Sequence, residues 1–177
     1  MKEKHPENHY KFCPRCASKG AFNSNNFSFK CDKCGFHFFL NSSAAVTALI
    51  FNAKNEILMV RRGIEPSIGA LDLPGGFIDP GESAEFALLR EVKEELDLEV
   101  DNFIYYGSFP NRYQYSGTIV FTVDFAFKCE IINFESLTFK DDISGIEFWK
   151  PEDINLDDVP FQSVRNILTQ LVNEGNN

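Results

Sequence analysis

Three carboxylates spaced i, i+3 and i+4 (Glu91, Glu94, Glu95) and two Cys-x-x-Cys pairs (Cys13/Cys16, Cys31/Cys34) are the residues of this chain whose types and spacing could do chemistry. Helix formers run from Ser83 to Leu96, so the three glutamates share one helix arc. Like charges at that spacing repel by roughly 0.2–0.5 kcal/mol per pair. They also stand in the last turn, where the helix dipole is negative. At about 100° per residue, Arg90 and Lys93 point away from that arc, while Ala84 and Ala87 lie on it and leave room for an approaching group. Leu88, Leu89, Val92 and Leu96 read as the apolar arc, roughly opposite the carboxylates. A solvated acidic face is the bland alternative, and it leaves three uncompensated anions at the unfavourable helix end. A hard divalent cation resolves both penalties, since carboxylate oxygens suit Mg²⁺ or Mn²⁺.

The cysteines point to different chemistry. Two C-x-x-C pairs separated by 14 residues suit a tetrahedral four-thiolate zinc site, with Gly35 easing the turn after the second pair. Nothing resembling a secretion signal opens the chain, which makes disulfides the weaker alternative. A four-cysteine site is closed, so its metal would hold the fold and do no chemistry. The short segment 11–40 could not bury enough apolar surface without it. His37 reads as a packing or surface residue, and Cys129, alone in an apolar run, as a buried hydrophobe.

The elements that must position these groups can be read in order. Residues 1–10 are polar and aperiodic and read as a flexible tail, 11–40 as a separate cysteine module, and 41–177 as the main domain. The module is crowded by Phe22, Phe27, Phe29, Phe36, Phe38 and Phe39 and carries Lys11, Arg15, Lys19, Lys30 and Lys33 against Asp32 alone, a formal +4. The whole chain is at -9, which argues against a general nucleic-acid or acidic-membrane binder. Strands are expected at Ala44–Asn52, Ile57–Arg61, Glu99–Tyr106, Gly117–Glu130 and around Phe148-Trp149, with an amphipathic helix from Pro160 to Leu171. Strands alternating with two helices predict an α/β fold with a mixed sheet between helices. Arg61 and Arg62, ending a strand before the glycine loop, are candidates for phosphate contact or for plain solvent exposure. No apolar run approaches the ~18 residues that span a bilayer, so a cytoplasmic protein is expected. Residues 41–177 contain no His, which excludes a His-activated nucleophile there. No Walker-type Gly-Lys-Ser sequence occurs either.

Gly76, five residues, Glu82, seven residues, Arg90-Glu91, two residues, Glu94-Glu95, one residue and Asp97-Leu98 together resemble the Nudix box, with Asp97 where that family usually has Gly. A left-handed residue closes such a helix, and Asp tolerates that conformation better than most. With the cysteine module directly before it, the chain is similar to the zinc-ribbon-containing NADH pyrophosphatase-like branch of the family. That branch carries a downstream Ser-Gln-Pro-Trp-Pro-Phe-Pro-x-Ser signature. Ser108, Pro110 and Ser116 match it, Tyr113 replaces its Phe, and its Trp and two of its prolines are missing.

The resemblance implies a Nudix-type α/β/α sandwich with a mixed sheet, preceded by a small zinc ribbon. It implies Mg²⁺- or Mn²⁺-dependent hydrolysis of a nucleoside diphosphate linked to another moiety, such as NADH or ADP-ribose. Glu91, Glu94 and Glu95 would hold the ions, one of Glu91 and Glu94 would act as base, Arg90 would orient a box glutamate and Glu82 would brace the loop. The substrate would meet Arg61, Arg62, Gly75, Gly76, Ser108, Pro110 and Tyr113. Zn²⁺ would be structural. Two alternatives stand beside this: a nucleotide sensor without catalysis, and hydrolysis of NAD-capped RNA guided by the basic ribbon. No membrane partner is expected, and the Phe-rich ribbon hints at a homodimer.

Overall fold

Cys13-Pro-Arg-Cys16-Ala17 and Cys31-Asp-Lys-Cys34-Gly35 fold into two turns of one design. In each, the fifth residue's N–H donates to the first cysteine's carbonyl, Ala17 to Cys13 at 2.8 Å and Gly35 to Cys31 at 3.0 Å. Both fifth residues are left-handed, with φ of 55° and 74°. The computed structural model that shows this describes residues 8–140 and 142–175, so most of the tail lies outside the described residues. Three short strands, β1 (Ala21–Asn23), β2 (Ser28–Lys30) and β3 (His37–Phe39), form an antiparallel sheet around the turns. Its inner side packs Phe29, fully buried, with Tyr10, Phe22, Phe36 and Phe38. The packed module therefore takes in Tyr10, just before the boundary read from sequence.

The described chain forms two compact units. One holds the residues up to 42 together with Arg112–Phe121; the other holds Ser43–Asn111 and Thr122–Asn177. In the second unit β4 (Ser43–Ile50) runs parallel to β8 (Thr118–Ile131), in register from Ser43↔Thr122 to Ile50↔Cys129. Strand β7 (Val100–Tyr115) borders β8 on the other side. A second sheet pairs β5 (Ile57–Arg62) antiparallel with β6 (Leu71–Asp72) and with β9 (Ile143–Trp149), with a bulge at Arg61/Arg62. Parallel and antiparallel pairs thus coexist beside two helices, α1 (Ala84–Leu96) and α2 (Gln162–Gly175), the mixed α/β arrangement expected. Strand β7 runs nine residues past the expected Tyr106, because pairing with β8 carries polar residues that have no strand preference of their own. No helix among the described residues is long and apolar enough to cross a membrane.

Helix α1 begins at Ser83, whose hydroxyl accepts from the Phe86 N–H at 3.3 Å, and ends at Asp97 in the left-handed region, φ 54° and ψ 26°. The Asp97 N–H reaches the Lys93 carbonyl at 3.0 Å, closing the helix as a Gly would. The buried side chains of α1 are Ala87, Leu88, Val92 and Leu96, packed with Val46, Ala48 and Ile50 of β4 and Leu58 and Val60 of β5. Each buried Leu or Val contributes about 1.5–3 kcal/mol relative to exposure. This core is what fixes the helix against the loop that precedes it.

Candidate functional site

Pro74 to Ile78 lies along β4 as an improvised strand. Val46 donates to the Gly76 carbonyl at 2.8 Å, Ala48 to that of Pro74 at 2.8 Å, and Ile78 to that of Ala44 at 3.0 Å. The loop therefore runs close against both β4 and α1. A Cβ at Gly75 would lie 2.1 Å from the Val46 carbonyl oxygen, and one at Gly76 would lie 2.5 Å from Glu91 Oε1. Gly75 also has φ of 141°, a conformation that costs other residues heavily. Only glycine fits at position 75, whereas a side chain at position 76 would displace the Glu91 carboxylate.

Helix α1 departs from three expectations read from the sequence. The carboxylates do not oppose the apolar arc: at about 100° per residue Glu95 falls within about 20° of Ala84 and Leu88. Ala87, expected to leave room for a ligand, is fully buried against the sheet, while Leu89, expected in the core, is 36% exposed. Glu91 and Glu95 consequently reach into the junction of helix and loop. Burial pushes Glu95 up to about 8, against a 2.9 Å hydrogen bond from the Gly75 N–H, and the charges of Glu91, Asp72 and Asp142 push the same way. Burial also raises Glu91, although Arg90 beside it pulls down.

The glutamates are not uncompensated either. Arg90 donates through Nε and Nη2 to both oxygens of Glu82, at 3.0 and 2.8 Å. Its Nη1 reaches Glu91 Oε1 at 2.7 Å and Glu94 Oε2 at 3.1 Å, and Nη2 also reaches the Phe77 carbonyl at 3.1 Å. A helical wheel places only the Cα–Cβ direction; the long Arg stem bends back across the arc. Glu82, held below the usual carboxylate range chiefly by Arg90, accepts in turn from the Asp79 N–H at 3.1 Å. Arg90 thus ties loop, helix start and helix end together. Glu94 keeps a side chain 55% exposed.

The four cysteine sulfurs lie within 4.8 Å of one another, the one such gathering of potential metal ligands among the described residues. Cys13 and Cys34 Sγ are 3.6 Å apart, as are Cys16 and Cys31, too far for a disulfide, whose S–S bond is about 2.05 Å. Hydrogen bonding to Ser18 pulls Cys16 down to about 6. Cys129 is buried, as expected, and burial pushes it up to about 12.

The other predicted contacts are scattered. Arg61 is held by Glu147, Nε to Oε1 at 2.6 Å and Nη2 to Oε2 at 3.2 Å, with Trp149 Nε1 donating to the same carboxylate at 2.8 Å. Arg62 pairs with Asp72 at 3.0 Å, donates to the Pro66 carbonyl at 2.7 Å and lies 4.9 Å over the Phe161 ring. Neither guanidinium stands free. Ser108 and Pro110 are exposed on β7, alternating with the buried Phe109 and Asn111. Tyr113 is half-buried and stacked on Tyr115 at 6.0 Å. Sequence reading missed Asp72, part-buried and pushed up by desolvation to about 6 although Arg62 pulls down; a lone acid inside the apolar run Leu71-Asp72-Leu73 was the available signal.

Residues 41–169 match the NUDIX domain family. Among curated proteins, the NAD-capped RNA hydrolase NudC of Vibrio atlanticus is 29% identical over 116 residues, 66% of this chain and 42% of that protein. The chain spans under half the length of the curated relatives it matches. Among solved structures, the MutT protein from Methanosarcina mazei Go1 aligns with a TM-score of 0.62 at 23% identity, over 77% of this chain and 96% of that one. The NUDIX domain of Shewanella oneidensis NrtR, solved with ADP ribose, aligns with a TM-score of 0.59 at 20% identity, over 77% and 90%. At these identities the structural matches speak for the fold.

Proposed function

The chain belongs to the NUDIX domain family, and from that premise we propose that it hydrolyses a phosphoric anhydride: a nucleoside diphosphate linked to another moiety is cut into a nucleoside monophosphate and a phosphorylated product. The observation that carries the proposal is Glu95, a part-buried carboxylate at the junction of helix and loop; burial first, then the charges of Glu91, Asp72 and Asp142, push it up to about 8 and favour its protonated form. Mg²⁺ or Mn²⁺ beside it would replace that proton, and oxygen donors suit either ion. Glu91, Glu94 and Glu95 would hold the ion, which supplies neutralisation of the anhydride oxygens and a more acidic bound water.

The chain's own residues do the rest. Gly75 and Gly76 let the loop backbone approach both β4 and the glutamates. Arg90, braced by Glu82 and the Phe77 carbonyl, orients Glu91 and Glu94, one of which accepts the proton of the attacking water. Arg61 and Arg62 would reach a phosphate only by giving up Glu147 or Asp72, so their first task is to hold β5 to β9 and β6. Ser108, Pro110 and Tyr113 are the proposed selectors among dinucleotides, ADP-ribose and capped RNA. Four thiols within 4.8 Å suit Zn²⁺, which would hold the ribbon without joining the reaction. All five thiols are free, in keeping with a reducing, cytoplasmic setting.

The test is turnover of NADH, ADP-ribose, FAD, diadenosine polyphosphates and NAD-capped RNA, with Mg²⁺, with Mn²⁺ and with neither. Metal-dependent release of a nucleoside monophosphate from at least one is expected. Silence on all of them with both metals would overturn the proposal.

A further inference from the structure

The N-terminal sheet has an inner and an outer side. Directly opposed residues of an antiparallel pair project to the same side, and successive residues alternate. Phe22, Phe29 and Phe38 are mutually opposed and form the inner side. Gly20 belongs with them, since a Cβ there would lie 2.2 Å from the Phe29 ring. Lys19, next to Gly20, therefore projects outward, and so does Phe12, its partner in an isolated bridge. Lys30 and His37 are directly opposed on that outer side, and Phe39 follows two residues after His37.

This outer side carries large apolar rings in water. Phe12 is 58% exposed and Phe39 54%, and the His37 ring lies 4.7 Å from that of Phe39. Lys19 and Lys30 stand beside them, and among the described residues no carboxylate pairs with either. The surrounding segment 11–40 is at a formal +4 with its thiols neutral, or +2 with four thiolates on Zn²⁺, within a chain at -9, so the positive charge is concentrated where the rings are. Flat rings interleaved with cations on an exposed sheet complement one chemistry well: unpaired bases that stack, strung on phosphates. An apolar protein partner would use the rings but gain nothing from the unpaired lysines.

We propose that this outer side binds single-stranded RNA, with bases stacked on Phe12 and Phe39 and phosphates held by Lys19 and Lys30. The proposal uses none of the box glutamates, and its test needs no turnover. Full-length zinc-loaded chain is titrated, without added Mg²⁺, into a labelled, uncapped single-stranded RNA of about 12 nucleotides, a length within the usual site sizes for such platforms. Anisotropy is followed over a range of salt concentrations, with a duplex of the same sequence as comparison.

The parent should bind the single strand more tightly than the duplex. Lys19→Ala/Lys30→Ala should lower the slope of log K against log salt by about 1.4, at roughly 0.7 per phosphate contact. Phe12→Ala/Phe39→Ala should weaken binding about thirtyfold or more while leaving that slope unchanged. Retained zinc in both variants, measured by elemental analysis, shows that the module is still folded. Absence of binding at low salt, equal affinity for the duplex, or parent-like binding by both folded variants overturns the proposal. So does a parent whose self-association, and not its RNA binding, is lost with the phenylalanines; the face would then belong to a second copy.

Discussion

Replacing Glu95 with Gln removes one titrating carboxylate from the junction of loop and helix and leaves its volume almost unchanged. The amide oxygen can still accept from the Gly75 N–H, now 2.9 Å away. In the parent, Glu95 titrates near 8 when folded and near its ordinary value when unfolded, about 4.3. Between those values the folded chain keeps a proton that the unfolded chain releases. Stability therefore falls as pH rises through that window and levels off above it. The loss is at most about 1.4 kcal/mol per pH unit, or about 2.7 kcal/mol between pH 5.5 and 7.5. For a chain of this size that is roughly 5–10 °C in Tm. Glu91 and Asp72, both raised by burial, remain in both proteins; because their charges also act on Glu95, the difference between parent and variant is the titration of Glu95 together with their response to its loss. The assay is thermal unfolding of both proteins at half-unit pH steps, with and without Mg²⁺. The parent should lose stability with pH more steeply than Glu95→Gln, and Mg²⁺ should stabilise the parent increasingly as pH rises while leaving the variant nearly unmoved. Parallel pH profiles, or equal stabilisation of both by Mg²⁺, would refute the reasoning.

Three further outcomes follow from the same geometry. Gly75→Ala meets backbone at Val46 and a left-handed φ, so it should lose about 1–3 kcal/mol to backbone conformation alone, whereas Gly76→Ala meets only the Glu91 carboxylate and should lower turnover more than Tm; denaturant melts and initial rates separate the two. Asp97→Gly trades exposed ion pairs with Lys93 and Lys140, at 2.8 and 3.5 Å, for an unstrained left-handed residue and should stay within about 0.5 kcal/mol of the parent, while Asp97→Val should cost about 1–2 kcal/mol. Protein purified without added metal should carry close to one zinc per chain, and Cys13→Ser should lower both the zinc content and the melting temperature.

The types of the chemistry-bearing residues were legible in the sequence because they depend on local rules. Ser83 and Asp97 mark where α1 starts and stops through cap chemistry that needs no partner beyond the neighbouring turn. The paired C-x-x-C spacing sets two turns that bring four thiols together, and Ala17 and Gly35 adopt the same left-handed conformation despite their different side chains. The parallel partner of β4 was not legible, since that pairing joins residues 79 apart in sequence, and β7 runs past its expected end because the next strand, β8, pairs with it. The electrostatics of the site were misread for a related reason. A wheel gives the direction in which Glu91, Glu94 and Glu95 leave the helix, but not what stands in front of them. Burial beside the Gly75-Gly76 loop raises Glu95 against the hydrogen bond from the Gly75 N–H, and Arg90 folds back to meet three glutamates at once. Burial and long side-chain reach belong to the assembled structure, so the sequence determined which carboxylates are present and only the tertiary fold decided which of them keeps its proton.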